Sequence, residues 1–180
     1  NYLKSKKSLF KDIVKIPNGV ELFLENSKEI TDSKEEFFNV CYIKSIREDT
    51  GHEDIINLAS LIKFSRIKIL IHVIGEGSLY RDFLKKVSKE KLEEVIKTYG
   101  ELEHSKALFI LRKMNLGITT SPIEMMPNFV LECFSVGIPI IGYKTAGVED
   151  LIVDNKNGYL IEPGDIKAFF EKIVYLSREN

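Results

Sequence analysis

The sequence predicts an α/β fold built on a doubly wound parallel sheet. Three observations predict it. From residue 36 onward, short apolar runs alternate with amphipathic stretches about six times. The run over 67–74 is nearly continuous in apolar residues, as expected of a strand covered on both faces. The length, 180 residues, suits one domain with a real core.

Taken in order, a strand is expected over 36–43. A helix over 53–64 follows, with Ile55, Ile56, Leu58, Ala59, Leu61 and Ile62 on its inner face. After the strand over 67–74, a helix over 79–87 is expected to open at Ser78 as its N-cap. A strand over 95–99 precedes a helix over 106–112. A strand over 116–120 precedes a helix over 128–136, closed by Gly137. A strand over 138–143, a short helix over 148–153, a strand over 159–161 and a helix over 166–176 complete the pattern. Strands alternating with helices in this way imply a parallel sheet with helices on both faces, joined by right-handed crossovers. Ligands of such sheets lie beyond the carboxyl ends of the strands. The loops that matter are therefore 44–52, 75–78, 100–103, 121–128 and 144–148.

Bulk properties exclude several classes. A chain that is 44% hydrophobic and 29% charged is not disordered. Its longest apolar runs, such as 69–74, are too short to span a bilayer. Lys4, Lys6 and Lys7 lead into Phe10-Lys11-Asp12 and not into the apolar core of a signal peptide. That basic stretch reads as a solvated helix face, with a membrane-surface contact as the alternative. A net charge of −1 gives no global attraction to nucleic acid. Cys41 and Cys133 fit buried free thiols. His52, His72 and His104 are dispersed and form no metal cluster. His72 is expected in the core, and His52 falls in a candidate phosphate loop. Because the chain opens on Asn1 and not on Met, it is expected to be a piece of a longer protein.

Two loops carry the chemistry. Gly75-Glu76-Gly77 ends a strand before a helix, so backbone and helix N-terminus can approach an anion. Tyr80 stands where a dinucleotide fingerprint needs a third glycine, and a plain tight turn is the other reading. The loop 119–132 is richer. It runs directly into a helix whose first amides, of Asn128, Phe129 and Val130, lack internal acceptors and suit a diphosphate. Glu132 lies one turn into that helix, and Glu124 precedes it. Ionised carboxylates only accept hydrogen bonds, so both suit sugar or ribose hydroxyls. Read by spacing alone, Glu132 as a solvated helix residue and Glu124 as a loop charge stay open. Met125 and Met126 are loop packing or present their amides to a sugar. Tyr143 and Lys144 end a strand at the same edge, with Lys144 a weak phosphate candidate.

These residues resemble the family 4 (group 1) glycosyltransferases. Glu124, Pro127, Glu132 and Gly137-Ile138-Pro139 stand in the register of that family's paired glutamates. Ile16-Pro17-Asn18-Gly19-Val20-Glu21 resembles the family's entry to this domain. Gly75-Glu76-Gly77, Tyr99-Gly100-Glu101, Ala146-Gly147-Val148-Glu149, Asn157-Gly158-Tyr159-Leu160 and Pro163-Gly164-Asp165 follow in family order. The resemblance implies the C-terminal, Rossmann-like domain of a GT-B enzyme, which binds a nucleotide sugar, needs no metal or other cofactor and retains anomeric configuration. It implies that Glu132 binds the ribose and that Glu124 lies near the sugar with Met126. Amides of Asn128, Phe129 and Val130 would hold the diphosphate beside Gly75 and Gly77. The turn of Gly100, Glu101 and Leu102 would contact the base.

One departure stands out. The family places an Arg and a Lys in the loop after the first strand to hold the leaving diphosphate. Here, if Gly51 is the family glycine, the Lys position holds Thr50 and the Arg position falls on Ser45, or on Lys44 with a slip of one. Lys44 and Arg47 are the substitute cations this loop offers, with surface charge as the alternative.

The resulting expectation is a linker or domain remnant over 1–15 and a nucleotide-sugar-binding domain over 16–180. It would serve a retaining hexosyltransferase that uses a UDP- or GDP-sugar, and would be inactive alone. The acceptor, a saccharide or lipid-linked glycan, would be bound by an N-terminal domain. The setting expected is microbial surface-polysaccharide assembly in the cytoplasm or at the inner face of the membrane. The alternatives are a non-catalytic sugar-nucleotide-binding module and a GT-B-fold epimerase.

Overall fold

The computed structural model describes residues 18–20, 36–125 and 127–179. The expected linker over 1–15, the basic stretch at Lys4, Lys6 and Lys7, the ends of the 16–21 motif and Met126 lie outside the described residues. The elements are β1 (Phe38–Ile43), α1 (His52–Ser65), β2 (Ile69–Ile74), α2 (Tyr80–Lys89), β3 (Ile96–Thr98) and α3 (His104–Leu111). They continue as β4 (Leu116–Thr119), α4 (Asn128–Ser135), β5 (Ile140–Tyr143), α5 (Ala146–Glu149), β6 (Gly158–Ile161) and α6 (Ile166–Glu179). All pairings are parallel, in the order β3-β2-β1-β4-β5-β6. The chain thus winds outward from β1 to β3, then outward again from β4 to β6. The direction reverses between β1 and β4, where a crevice opens at the carboxyl ends.

Alternation along the strands builds two core layers. Val40 and Tyr42 of β1 pack with Ile55 and Leu58 of α1, Phe83 of α2 and Phe169 of α6. Cys41 faces the opposite layer, with Leu108 of α3, Val130 and Cys133 of α4 and Val148 of α5. Both thiols are free and buried.

Several boundaries differ from expectation. α2 begins after Leu79, which makes no side-chain cap bond, and not at Ser78. The Leu79 amide donates to Ile46 O at 3.0 Å, so the first loop fixes this start. α3 opens two residues before the expected 106, and α5 ends at Glu149 rather than 153. Leu61, expected on the inner face of α1, is 37% exposed, whereas Ile55, Ile56, Leu58, Ala59 and Ile62 are buried.

His72 is buried in β2, as its apolar surroundings suggested. Its Nε2 lies 2.8 Å from Asn39 Oδ1 and its Nδ1 2.8 Å from the Tyr99 hydroxyl. With Asn39 Oδ1 as acceptor, Nε2 carries the proton and Nδ1 accepts from Tyr99. Burial first, and the charge of Lys97 second, lower its pKa from 6.5 to about 4. Between those values the unfolded chain binds a proton that the folded chain does not. Stability therefore falls as pH drops from 6.5 towards 4, by on the order of 3 kcal/mol in full. Urea denaturation across this range should show a steeper loss in the native protein than in a His72→Gln variant.

Candidate functional site

The loops after β1 and β4 meet over the crevice. The first is tightened by its own residues: the Tyr42 hydroxyl donates to Thr50 O at 2.6 Å, and Thr50 Oγ1 donates to Arg47 O at 2.7 Å. It is then tied to the second loop. Thr120 Oγ1 donates to Gly51 O at 2.8 Å, and Ser121 Oγ to Asp49 O at 3.1 Å. Gly51 has φ 78°, and a Cβ there would lie 1.9 Å from Thr120 O. The close approach of the two loops requires glycine at this point.

This frame brings Lys44 and Glu124 together. Their side chains, 23% and 15% exposed, form an ion pair between Nζ and Oε2. Both line a cavity of about 220 Å³ with Thr119, Pro127, Asn128 and Phe129. The pair therefore sits beside the N-terminus of α4. Pro127 is the N-cap and contributes no side-chain cap. The Val130 amide is taken by Pro127 O at 3.1 Å, so only two of the three expected amides remain. Those of Asn128 and Phe129 find no acceptor among the described residues. Two amides with no acceptor among the described residues, the positive end of a helix dipole and a lysine make an anion site.

One turn further, Glu132 lines a second cavity of about 360 Å³ with Gly19, Val20, His104, Asn128 and Ser135. Asn128 borders both cavities, so the first turn of α4 separates the two glutamates. The Asn18 side chain donates to Asn128 Oδ1 at 2.7 Å, which brings the entry motif to this turn. His104 Nε2 lies 3.0 Å from Glu132 Oε1. Burial, and then the charge of Glu132, hold the Cys41 thiol above its usual range.

Other candidates lie elsewhere. Gly75 is half-buried and Gly77 exposed, and each has its Cβ side filled by the first loop. A Cβ on Gly75 would lie 2.2 Å from Lys44 O, and one on Gly77 2.4 Å from Ile46 O. Both glycines admit the first loop, and the Gly75 amide is taken by Gly100 O at 2.8 Å. Gly100, at φ 68°, packs over the Glu76 carboxylate. Glu101 is exposed. Leu102 lines a third cavity, about 380 Å³, with Tyr99, Phe109 and Ile110. Arg47 is exposed, outside the Lys44 cavity. Thr50, which holds the family Lys position if Gly51 is the family glycine, is buried. Lys144 pairs with Glu162 at 3.4 Å, and the Tyr143 hydroxyl donates to Asp54 at 2.7 Å. His52 is buried with its ring edge-on to Phe83.

Sequence reasoning missed two features. His104 gave no signal, because its partner is 28 residues away. Gly147, noted only as a family match, holds the site together: its amide donates to Glu124 O at 2.8 Å. A Cβ there would lie 2.4 Å from Met125 C.

The family model for glycosyl transferases group 1 matches residues 24–180. The chain belongs to the group 1 glycosyltransferases. Among curated relatives, it is 28% identical over 123 residues to the poly(ribitol-phosphate) α-N-acetylglucosaminyltransferase of Staphylococcus aureus, covering 68% of this chain and 24% of that protein. It is 22% identical over 176 residues to the N-acetyl-α-D-glucosaminyl L-malate synthase of Bacillus anthracis, covering 94% of this chain and 45% of that protein. The chain therefore spans less than half the length of either relative. Its fold matches a crystal structure of a Staphylococcus aureus TarM variant in complex with UDP, fondaparinux and α-GlcNAc-glycerol. The TM-score is 0.78 at 23% identity, covering 97% of this chain and 35% of that one. The glycosyltransferase fold thus agrees with the doubly wound sheet expected from the strand–helix alternation. Among the described residues, no helix is long and apolar enough to cross a membrane.

Proposed function

We propose that the chain is the donor-binding domain of a retaining, family 4-like glycosyltransferase that uses a UDP- or GDP-sugar. The observation that carries this reading is the Lys44–Glu124 pair beside the first amides of α4, those of Asn128 and Phe129, which find no acceptor among the described residues. The diphosphate lies over these amides and draws Lys44 from Glu124. The freed carboxylate then accepts from sugar hydroxyls, and Glu132 accepts from the ribose. In transfer, the bond between the anomeric carbon and the phosphate oxygen breaks, and its electron pair stays with the phosphate. Lys44 and the helix amides stabilise that growing charge without a metal. The acceptor hydroxyl bonds to the anomeric carbon on the same face, and its proton passes to the departing phosphate oxygen.

The rest of the enzyme binds the acceptor, a saccharide or lipid-linked glycan, in the cytoplasm or at the inner face of a membrane. The greater length of both relatives supports this division of labour. On the same reading, the isolated chain binds nucleotide and transfers nothing. A thermal-shift series with UDP, GDP, ADP and their sugars tests it. One diphosphate at 100 times its Kd should stabilise the fold by about 2.7 kcal/mol. No shift with any of them at millimolar concentration would remove the reading.

A further inference from the structure

We infer that His104 is a positioning residue for the nucleotide ribose, acting through Glu132. The inference rests on the donor-binding reading above and adds a residue to it. Glu132 lies one turn into α4, and its side chain is 16% exposed, whereas His104, which opens α3, is 71% exposed. A carboxylate held this far from water needs a hydrogen-bond donor. Burial first, and the charge of Glu132 after it, raise the pKa of the buried Cys41 and Cys133 thiols. The Ser135 hydroxyl, which lines the same cavity, donates to the Glu132 backbone carbonyl instead, at 2.8 Å. His104 Nε2, 3.0 Å from Oε1, is thus the side chain among the described residues that holds the carboxylate.

The chemistry of the contact sets what it leaves open. An ionised carboxylate accepts only, so Nε2 is the protonated nitrogen. One lone pair of Oε1 is used. The Oε2 atom has no partner among the described residues, and Glu132 lines a cavity large enough for a pentose. Vicinal ribose hydroxyls are donors matched to that acceptor. Fixing the carboxylate plane in advance lowers the ordering cost when the nucleotide arrives. The ring belongs to α3 and the carboxylate to α4, so the ribose contact also couples these helices.

Calorimetric titration of the full protein with UDP and GDP, and with their 2′-deoxy forms, tests this. With the tighter-binding ribonucleotide, His104→Ala should weaken binding about tenfold. His104→Gln, whose amide can still donate to Glu132, should restore most of it. The loss should be much smaller with the 2′-deoxy nucleotide. If His104→Ala binds like the native protein while Glu132→Ala is weakened, the role of His104 is wrong and the ribose reading of Glu132 stands. If Glu132→Ala is also unchanged, the ribose reading fails and takes this inference with it. An equal loss with ribo- and deoxynucleotides overturns the inference as well.

Discussion

Replacing Lys44 with alanine is expected to lower kcat for sugar transfer by the full-length enzyme about 10²- to 10³-fold, the usual scale for removing one group that meets developing charge. Charge on the departing diphosphate grows towards the transition state, so the loss should fall mainly on kcat and less on KM. Arg47→Ala should stay within about twofold, since a solvated cation away from the reacting bond contributes little. The contrast follows from placement. Lys44 is held against Glu124 in the crevice, whereas Arg47 is exposed outside it. Steady-state kinetics of both variants decides between them. Equal activity of Lys44→Ala and the native enzyme would remove Lys44 as the cation of this loop.

Gly51→Ala is expected to destabilise the fold by about 3 kcal/mol and to weaken nucleotide binding with it. Two costs combine. The residue has φ 78°, where an L side chain is strained, and its Cβ would lie 1.9 Å from a backbone oxygen, Thr120 O. Relief requires the loops after β1 and β4 to separate, and those loops carry Lys44 and Glu124. Gly137 provides the control. It has the same φ of 78°, but a Cβ there would have nothing within 4 Å. Gly137→Ala should therefore show the conformational cost alone, about 1 kcal/mol, and leave binding intact. Urea denaturation of the pair separates strain from contact. Similar losses in both would show that the loops tolerate the added methyl group.

The strand–helix alternation was readable because each run has its own apolar pattern. Residues 67–74 look like a covered strand whatever surrounds them. The helix at 128 and its glutamates were readable for a similar reason: amides, carboxylates and proline all lie within one local segment. What stayed hidden depends on contacts between segments. Gly75-Glu76-Gly77 has the composition of a ligand cradle, yet what its glycines admit is the chain itself: the carbonyls of Lys44 and Ile46 fill the side where a Cβ would stand. Sequence spacing ranked Lys44 and Arg47 alike. Only the folding of 47–50 into a tight turn, closed by Thr50 on the Arg47 carbonyl, sets one in the crevice and the other outside it. His104 could not be paired with Glu132 before α3 and α4 were laid side by side. Ser78 failed as a cap because the first loop, through Ile46, fixes where α2 begins.

A crystal structure of the chain with UDP or GDP tests the central claim most directly. The account predicts the diphosphate over the first turn of α4, within hydrogen-bond distance of the Asn128 and Phe129 amides. Lys44 should be turned from Glu124 onto a phosphate oxygen, and the ribose hydroxyls should lie on Glu132. A nucleotide bound in the cavity between Tyr99, Leu102 and Ile110, with the Lys44–Glu124 pair intact, would contradict it.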